Sequence, residues 1–177
     1  MNISNEQAEL RFRSATVDDL AAIAELESSE FRPLAYPYFA IRQLFDIHGS
    51  HWLVADVDGS LCGYAMVAVG PDSAWLIGLA VSANYQGRGL GRSLLDLAVA
   101  QCRSSQVDAV FITVRPSNVP AATLYKNSGF VWAGYEDQYF GVGEPRDLLV
   151  HRIVPDWPNA DPTDRRWYKD RGPVDEG

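Results

Sequence analysis

The sequence predicts an α/β domain in which a mixed, mostly antiparallel sheet is flanked by helices. Short runs rich in β-branched and aromatic residues alternate along the chain with longer stretches whose apolar residues recur at helical spacing. Asp58-Gly59 lies between two such short runs, and this dipeptide favours the positive φ angles of a tight hairpin turn. The 177 residues, of which 47% are hydrophobic, are enough for one ordinary globular core.

The first strand and the first two helices are predicted from alternating apolar residues, a helix-capping residue and helix-breaking residues. Apolar and basic residues alternate over 10–13, which predicts a strand. Thr16 then offers an N-cap, followed by two aspartates that complement the positive end of a helix running to about residue 30. Two prolines and two tyrosines interrupt the pattern over 31–38, and helical spacing resumes over 39–47.

The later elements alternate between strand and helix patterns. The hairpin at Asp58-Gly59 joins strands over 52–57 and 62–69, and a turn over 70–73 leads into a short buried strand. In chain order we then expect a strand at 74–81, a helix at 90–102, a strand at 110–114, a helix at 118–128 and strands at 131–140 and 147–154.

The chain divides into a short flexible N-terminus (1–9), one folded domain (10–154) and a proline-rich, charged C-terminal tail (155–177). Trp157, Trp167 and Tyr168 leave open whether the first part of the tail packs onto the domain. The chain has neither a signal-peptide pattern nor an apolar run of about 18 residues, so we expect a cytoplasmic protein that does not bind membranes.

Charge and cysteine content exclude several functions. A formal charge of −8 is unfavourable for binding a polyanion, so we expect no nucleic-acid partner, aminoacyl-tRNA included. The acidity mainly favours solubility, and it also suits a cationic acceptor such as an amine. Cys62 and Cys102 have apolar neighbours and are expected to be buried free thiols. The cysteines and three scattered histidines show no metal-binding spacing, so no metal is expected.

The most informative stretch is Gln86-Gly87-Arg88-Gly89-Leu90-Gly91, a glycine-rich loop between a predicted strand and a predicted helix. Glycine permits positive φ and a close approach by a ligand, while the first amides of a helix lack partners within it. The two features together favour binding of a pyrophosphate. The spacing fits neither the P-loop nor the dinucleotide-binding glycine motif.

A second motif follows the strand predicted at 110–114. It runs Asn118-Val119-Pro120-Ala121-Ala122-Thr123-Leu124-Tyr125-Lys126-Asn127-Ser128-Gly129-Phe130 and is typical of a loop, a short helix and a glycine stop.

With these two motifs in this order, the chain resembles the GCN5-related N-acetyltransferase (GNAT) superfamily. The first motif resembles the acetyl-CoA loop Gln/Arg-x-x-Gly-x-Gly/Ala, and the second resembles the element N-x-x-A-x-x-L-Y…G-F. The resemblance covers about residues 10–154 by order of elements. It implies a sheet of about six to seven strands with about four helices, splayed between the fourth and fifth strands.

The resemblance also implies acetyl-CoA as co-substrate and a direct attack of an amine on its thioester in a ternary complex. The backbone of Leu79, Ala80 and Val81 would pair with the pantetheine arm. The residues implied to hold the pyrophosphate are Gln86, Gly87, Arg88, Gly89, Leu90, Gly91 and Arg92. Asn118 and Ala121 would lie beside the cofactor, and Tyr125 would contact it and protonate the departing thiolate.

The group that takes a proton from the amine is not evident. Relatives place a carboxylate or amide on the central strands, where this chain has Gly78 and Thr113, and neither can act as a base. Glu30 is our predicted base. The other candidates left open are Tyr36, Tyr38, Tyr139 and Glu144.

The acceptor end is expected between the loop over 31–38 and the final hairpin, with Tyr36, Tyr38 and Tyr139 contacting the substrate. The acceptor is either a peptide or protein N-terminus or a small-molecule amine. A non-catalytic acyl-CoA-binding or regulatory module is the alternative function, because the strand carboxylate is missing. The chain is expected to be a monomer or a homodimer.

Overall fold

A computed structural model describes residues 9–155 of the chain. The predicted tail contacts of Trp157, Trp167 and Tyr168 lie outside this range. The strands are β1 (Leu10–Ser14), β2 (Leu53–Val57), β3 (Ser60–Val69), β4 (Ser73–Val81), β5 (Ala109–Val114), β6 (Val131–Glu136) and β7 (Arg146–Arg152). The helices are α1 (Leu20–Phe31), α2 (Tyr38–His48), α3 (Leu90–Ser104) and α4 (Val119–Asn127).

The seven strands form one sheet in the order β1-β2-β3-β4-β5-β7-β6. Every neighbouring pair is antiparallel except β4 and β5, which are parallel. The predicted mixed, mostly antiparallel α/β architecture is therefore confirmed. The turn between β2 and β3 has the predicted geometry, with φ of 51° at Asp58 and 82° at Gly59.

Apolar clusters lie on both faces of the sheet because alternate residues of a strand face opposite sides. Val54, Tyr64 and Met66 pack with α1 and α2 on one face. Leu53, Ala65 and Val67 pack with α3 on the other. Cys62 and Cys102 are buried free thiols in the α3 cluster, as predicted.

The predicted end of the sixth strand was wrong. The final hairpin was expected to carry strand as far as residue 140, but β6 ends at Glu136. The chain turns there, and the Gly141 amide donates to the Gln138 carbonyl. The predicted N-cap at Thr16 is confirmed, because Thr16 and Asp19 form a capping box; the helix starts as a 3-10 turn at Val17–Asp19 and becomes α-helical at Leu20.

The pairing of β4 with β5 covers only one end of each strand. The ladder joins Ser73 to Ala109 and continues to Leu76 and Ile112, where it ends. In the ladder with β3, Met66 lies opposite Gly78 and Val67 opposite Leu76, so Ile77 is an extra residue in β4. Such a bulge increases the local twist and bends the strand. The predicted splay between the fourth and fifth strands is thus present.

Among residues 9–155, no helix is both long enough and apolar enough to cross a membrane.

Candidate active site

A cavity of about 580 Å³ opens where β4 and β5 part. Its walls come from both strands, from α1 and the loop after it, from α4 and from the β6–β7 hairpin. The predicted site residues in its lining are Glu30, Tyr36, Leu79, Asn118, Ala121, Tyr125 and Tyr139. One splayed end of the sheet therefore brings together residues that are up to about a hundred positions apart in the sequence.

The edge of β4 beyond Leu76 is open toward the cavity. Leu79, Ala80 and Val81 pair on one side with β3, opposite Ala65, Tyr64 and Gly63. The ladder to β5 has already ended at Leu76. One edge of this segment can therefore accept an extended, amide-containing ligand as an added strand.

The glycine loop, residues 86–92, follows β4 and begins α3. Gln86 donates from Nε2 to the Val81 carbonyl at 2.8 Å, which holds the loop against the end of the strand. Gly89 is the N-cap of α3, and the Ser93 amide donates to its carbonyl. The amides before Ser93 have no partner within the helix, and they lie at its positive end. The loop lies outside the cavity lining, beyond the end of β4.

Two of the three loop glycines are required by backbone geometry. Gly87 and Gly89 have φ of 74° and 84°, a region that other residues rarely adopt. A Cβ on Gly91 would make only ordinary contacts, 3.6 Å from Leu124 and 3.8 Å from Val81. The unbound protein therefore does not require glycine at position 91.

The two loop arginines have partners within the protein. Arg88 lies over the ring of Tyr85, with its guanidinium carbon 5.3 Å from the ring centroid. Arg92 forms an exposed ion pair with Asp96 at 3.4 Å. Exposed pairs of this kind are weak, so either guanidinium can reorient toward a phosphate.

Tyr125 projects from α4 into the side of the cavity. Asn118 caps this helix by accepting a hydrogen bond from the Ala121 amide at 3.2 Å, and Pro120 occupies its first turn. Tyr125 is 7% exposed and packs near Phe130. Burial raises the pKa of the Tyr125 hydroxyl. The phenol therefore keeps its proton at neutral pH and can act as an acid.

The predicted base, Glu30, lies in the last turn of α1 at the cavity rim. It is exposed, and Gln86 approaches its carboxylate at 3.4 Å. The interaction with Gln86 places Glu30 close to the glycine loop. Gly78 and Thr113 also line the cavity, as expected for the two strand positions where relatives carry a polar group.

Sequence reasoning missed a second carboxylate, Glu27, which is 3% exposed and lines the same cavity. It accepts hydrogen bonds from the Tyr64 hydroxyl and, at 3.1 Å, from the Tyr36 amide. Burial raises the pKa of the Glu27 carboxyl. The spacing of Glu27 in the sequence could have indicated its burial. Glu27 follows Leu20 by seven residues and Ile23 by four, so it lies on the apolar face of α1.

The acceptor end contains two of the three predicted tyrosines. Tyr36 and Tyr139 line the cavity, whereas Tyr38 is the first residue of α2, is half exposed and lies outside the lining. Phe140 packs edge-on against Tyr139 with ring centroids 4.8 Å apart. Glu144 accepts hydrogen bonds from Arg115 and Arg146, two arginines that the sequence did not single out.

The family model described as Acetyltransferase (GNAT) family matches residues 20–130 of the chain. The chain belongs to this family. The match runs from the start of α1 past the end of α4, so it includes the glycine loop and Tyr125.

Relatives of this GNAT domain are named for acetylation of N-termini. A Bacillus subtilis protein named for ribosomal protein bS18-alanine N-acetyltransferase activity is 30% identical over 128 residues, covering 72% of this chain and 85% of the relative. An N-alpha-acetyltransferase from Sulfurisphaera tokodaii is 27% identical over 159 residues, covering 80% and 92%. The chain is an acetyl-CoA-dependent N-acetyltransferase.

A solved structure shows the same fold. The crystal structure of the NatC complex bound to Gag peptide and CoA has a chain that superposes with a TM-score of 0.76, at 16% identity, covering 82% of this chain and 99% of that one. The fold of this GNAT domain is thus shared with a chain of that complex.

The glycine loop generates a paired prediction. Gly89 and Gly59 have φ of 84° and 82°, and a Cβ added at either would meet nothing within 4 Å. Gly89→Ala and Gly59→Ala should therefore each destabilise the fold by about 1 kcal/mol through backbone strain. Only Gly89→Ala should weaken acetyl-CoA binding, by about tenfold, because it displaces the amides at the start of α3.

The measurement is thermal unfolding of both variants together with calorimetric titration of acetyl-CoA. Equal acetyl-CoA affinity in the two variants would show that the loop backbone does not bind the cofactor.

Proposed function

We propose that this N-acetyltransferase acetylates the α-amino group of a peptide or protein N-terminus. The observation that carries the proposal is the open acceptor end of the cavity, bounded by Tyr36 on one side and Tyr139 on the other. In this proposal, an extended chain enters between the loop that carries Tyr36 and the hairpin that carries Tyr139. The relatives named for alanine and N-alpha acetylation support the same acceptor class.

In this proposal acetyl-CoA binds along the open edge of β4. The pantetheine arm pairs with the backbone of Leu79, Ala80 and Val81, and the pyrophosphate binds the glycine loop. Asn118 and Ala121 flank the arm at the start of α4. The support is geometric, because the strand edge and the helix N-terminus meet at the end of β4.

The transfer is proposed as a direct displacement in a ternary complex. The amine nitrogen attacks the thioester carbonyl, a C–N bond forms and the C–S bond breaks. Tyr125 donates its proton to the departing thiolate, which its raised pKa permits at neutral pH. The acceptor nitrogen loses a proton to a carboxylate of the cavity.

Two carboxylates on α1 are available for that proton, and we favour Glu27 over the predicted Glu30. Glu27 is buried beside Tyr64, whose ring lies 3.2 Å from the position of a Cβ on Gly78. It therefore lies close to the strand position where relatives place their polar group. Glu30 is exposed near the glycine loop, where it would face the anionic pyrophosphate.

The test of the acceptor class is thiol release from acetyl-CoA with free N-terminal peptides, N-formylated copies, polyamines and amino sugars, followed by mass spectrometry of the products. Free peptides should release thiol and carry the acetyl group on the α-nitrogen, whereas the formylated copies should not react. Release with polyamines or amino sugars alone would contradict the proposal. Acetyl-CoA binding without release on any acceptor would indicate a non-catalytic module.

Replacement of the acid gives a second prediction. Tyr125→Phe should lower kcat by about 10²-fold, because the thiolate would leave without a proton donor. The KM for acetyl-CoA should change little, since the substitution removes only the hydroxyl. Steady-state kinetics at saturating peptide separate the two parameters. Unchanged kcat would remove Tyr125 from the mechanism.

The two glutamates give a third prediction. A base must be deprotonated, so kcat/KM falls as the pH drops through its pKa, and burial raises the pKa of Glu27 above the ordinary glutamate range. Glu27→Gln should lower kcat by about 10²-fold and abolish this acidic decline. Glu30→Gln, the matched control one turn away, should keep both the rate and the profile.

The measurement is the pH dependence of kcat/KM for the wild type and both variants. The reverse result, with the decline lost only in Glu30→Gln, would restore the sequence-based assignment of the base.

A further inference from the structure

Arg146, at the start of β7, is a buried cation that lines the cavity. It is 9% exposed, and its guanidinium carbon lies 4.7 Å from the centroid of the Phe140 ring. Both of its hydrogen bonds use Nη1, which donates to the Pro145 carbonyl at 2.7 Å and to Glu144 at 3.2 Å. Within residues 9–155, its Nε and Nη2 donate to no other group.

The carboxylate beside Arg146 is shared. Oε2 of Glu144 accepts from Arg146 and also from Arg115, at 2.5 Å, so two guanidiniums depend on one carboxylate oxygen. A buried guanidinium has five donors and loses hydration, so its unused donors favour an anionic ligand in the cavity.

The α1 wall of the cavity carries more negative than positive charge. Glu27 and Glu30 line it from α1 and Arg32 from the residue that follows, whereas Arg115 and Arg146 line the cavity from the ends of β5 and β7. The α-ammonium of an acceptor is attracted to the α1 side, and that orients the rest of the acceptor toward the arginines. An acceptor with a positive amine and a nearby negative group matches both walls.

We propose that Arg146 selects acceptors with a carboxylate side chain among their first three residues. This inference rests on the proposed N-terminal acetylation and specifies its substrate. The planar guanidinium binds a carboxylate through two parallel N–H···O bonds, a geometry that a neutral amide does not match. Phe140 and Glu144 hold the guanidinium in place before the acceptor arrives.

The experiment compares peptides with free N-termini that differ only by Glu or Gln at position 1, 2 or 3. The readout is the ratio of kcat/KM for the Glu peptide to that for the Gln peptide. The wild type should give a ratio of about 10 to 100 at one position or more, as expected for a charge-assisted hydrogen-bonded pair. The ratio does not depend on the fraction of correctly folded enzyme, because both peptides are measured on one preparation.

Three variants complete the test. Arg146→Gln should bring the ratio close to 1. Arg146→Lys keeps the positive charge but cannot form two parallel N–H···O bonds, so it should give an intermediate ratio. Arg42→Gln is the control, because Arg42 forms an exposed pair with Asp46 on α2 and is absent from the cavity lining. It should keep the wild-type ratio.

Two results would overturn the inference. One is a wild-type ratio near 1 at all three positions while the peptides are still acetylated, which leaves the proposed N-terminal acetylation intact. The other is a preference for Glu that persists in Arg146→Gln. Absence of acetylation on every peptide would overturn the proposed function and this inference with it.

Discussion

The parting of β4 from β5 is the constraint on which the site depends. The bulge at Ile77 ends the parallel pairing after four residue pairs, so the second half of β4 keeps one edge open. That same strand leads into the glycine loop and the N-terminus of α3. One continuous segment therefore offers strand pairing and then an anion site, in the order in which the pantetheine and pyrophosphate of CoA occur. Closing the sheet at β4 and β5 would remove the cavity and the open edge together.

Burial gives the two central titratable groups their proposed roles. It raises the pKa of both Tyr125 and Glu27, with different consequences. A phenol with a raised pKa keeps its proton at neutral pH and can donate it, whereas a carboxylate with a raised pKa is a stronger base in its ionised form. The strand positions Gly78 and Thr113 carry no carboxylate. Glu27 on α1 places a carboxylate in the same cavity. In the proposed mechanism, the proton donor and the proton acceptor thus come from different helices.

The fold could be predicted from sequence because its signals are local. The turn at Asp58-Gly59 and the positive φ at Gly89 depend on a few neighbouring residues, and all seven strands and four helices were anticipated. Glu27 and Arg146 were missed because their importance depends on tertiary burial. Tyr38 was assigned to the site on proximity in sequence, but the start of α2 directs that part of the chain away from the cavity. The early end of β6 arises from a turn that places Tyr139 at the acceptor end.

Amide hydrogen exchange with and without acetyl-CoA tests most directly whether acetyl-CoA binds along the open edge of β4 and the start of α3. We expect slower exchange at residues 77–81 and 87–92, where amides gain partners from the pantetheine and the pyrophosphate. Exchange in β1 and β2, at the far side of the sheet, should stay unchanged. Unaltered exchange at both segments under saturating acetyl-CoA, or protection confined to other elements, would contradict the account.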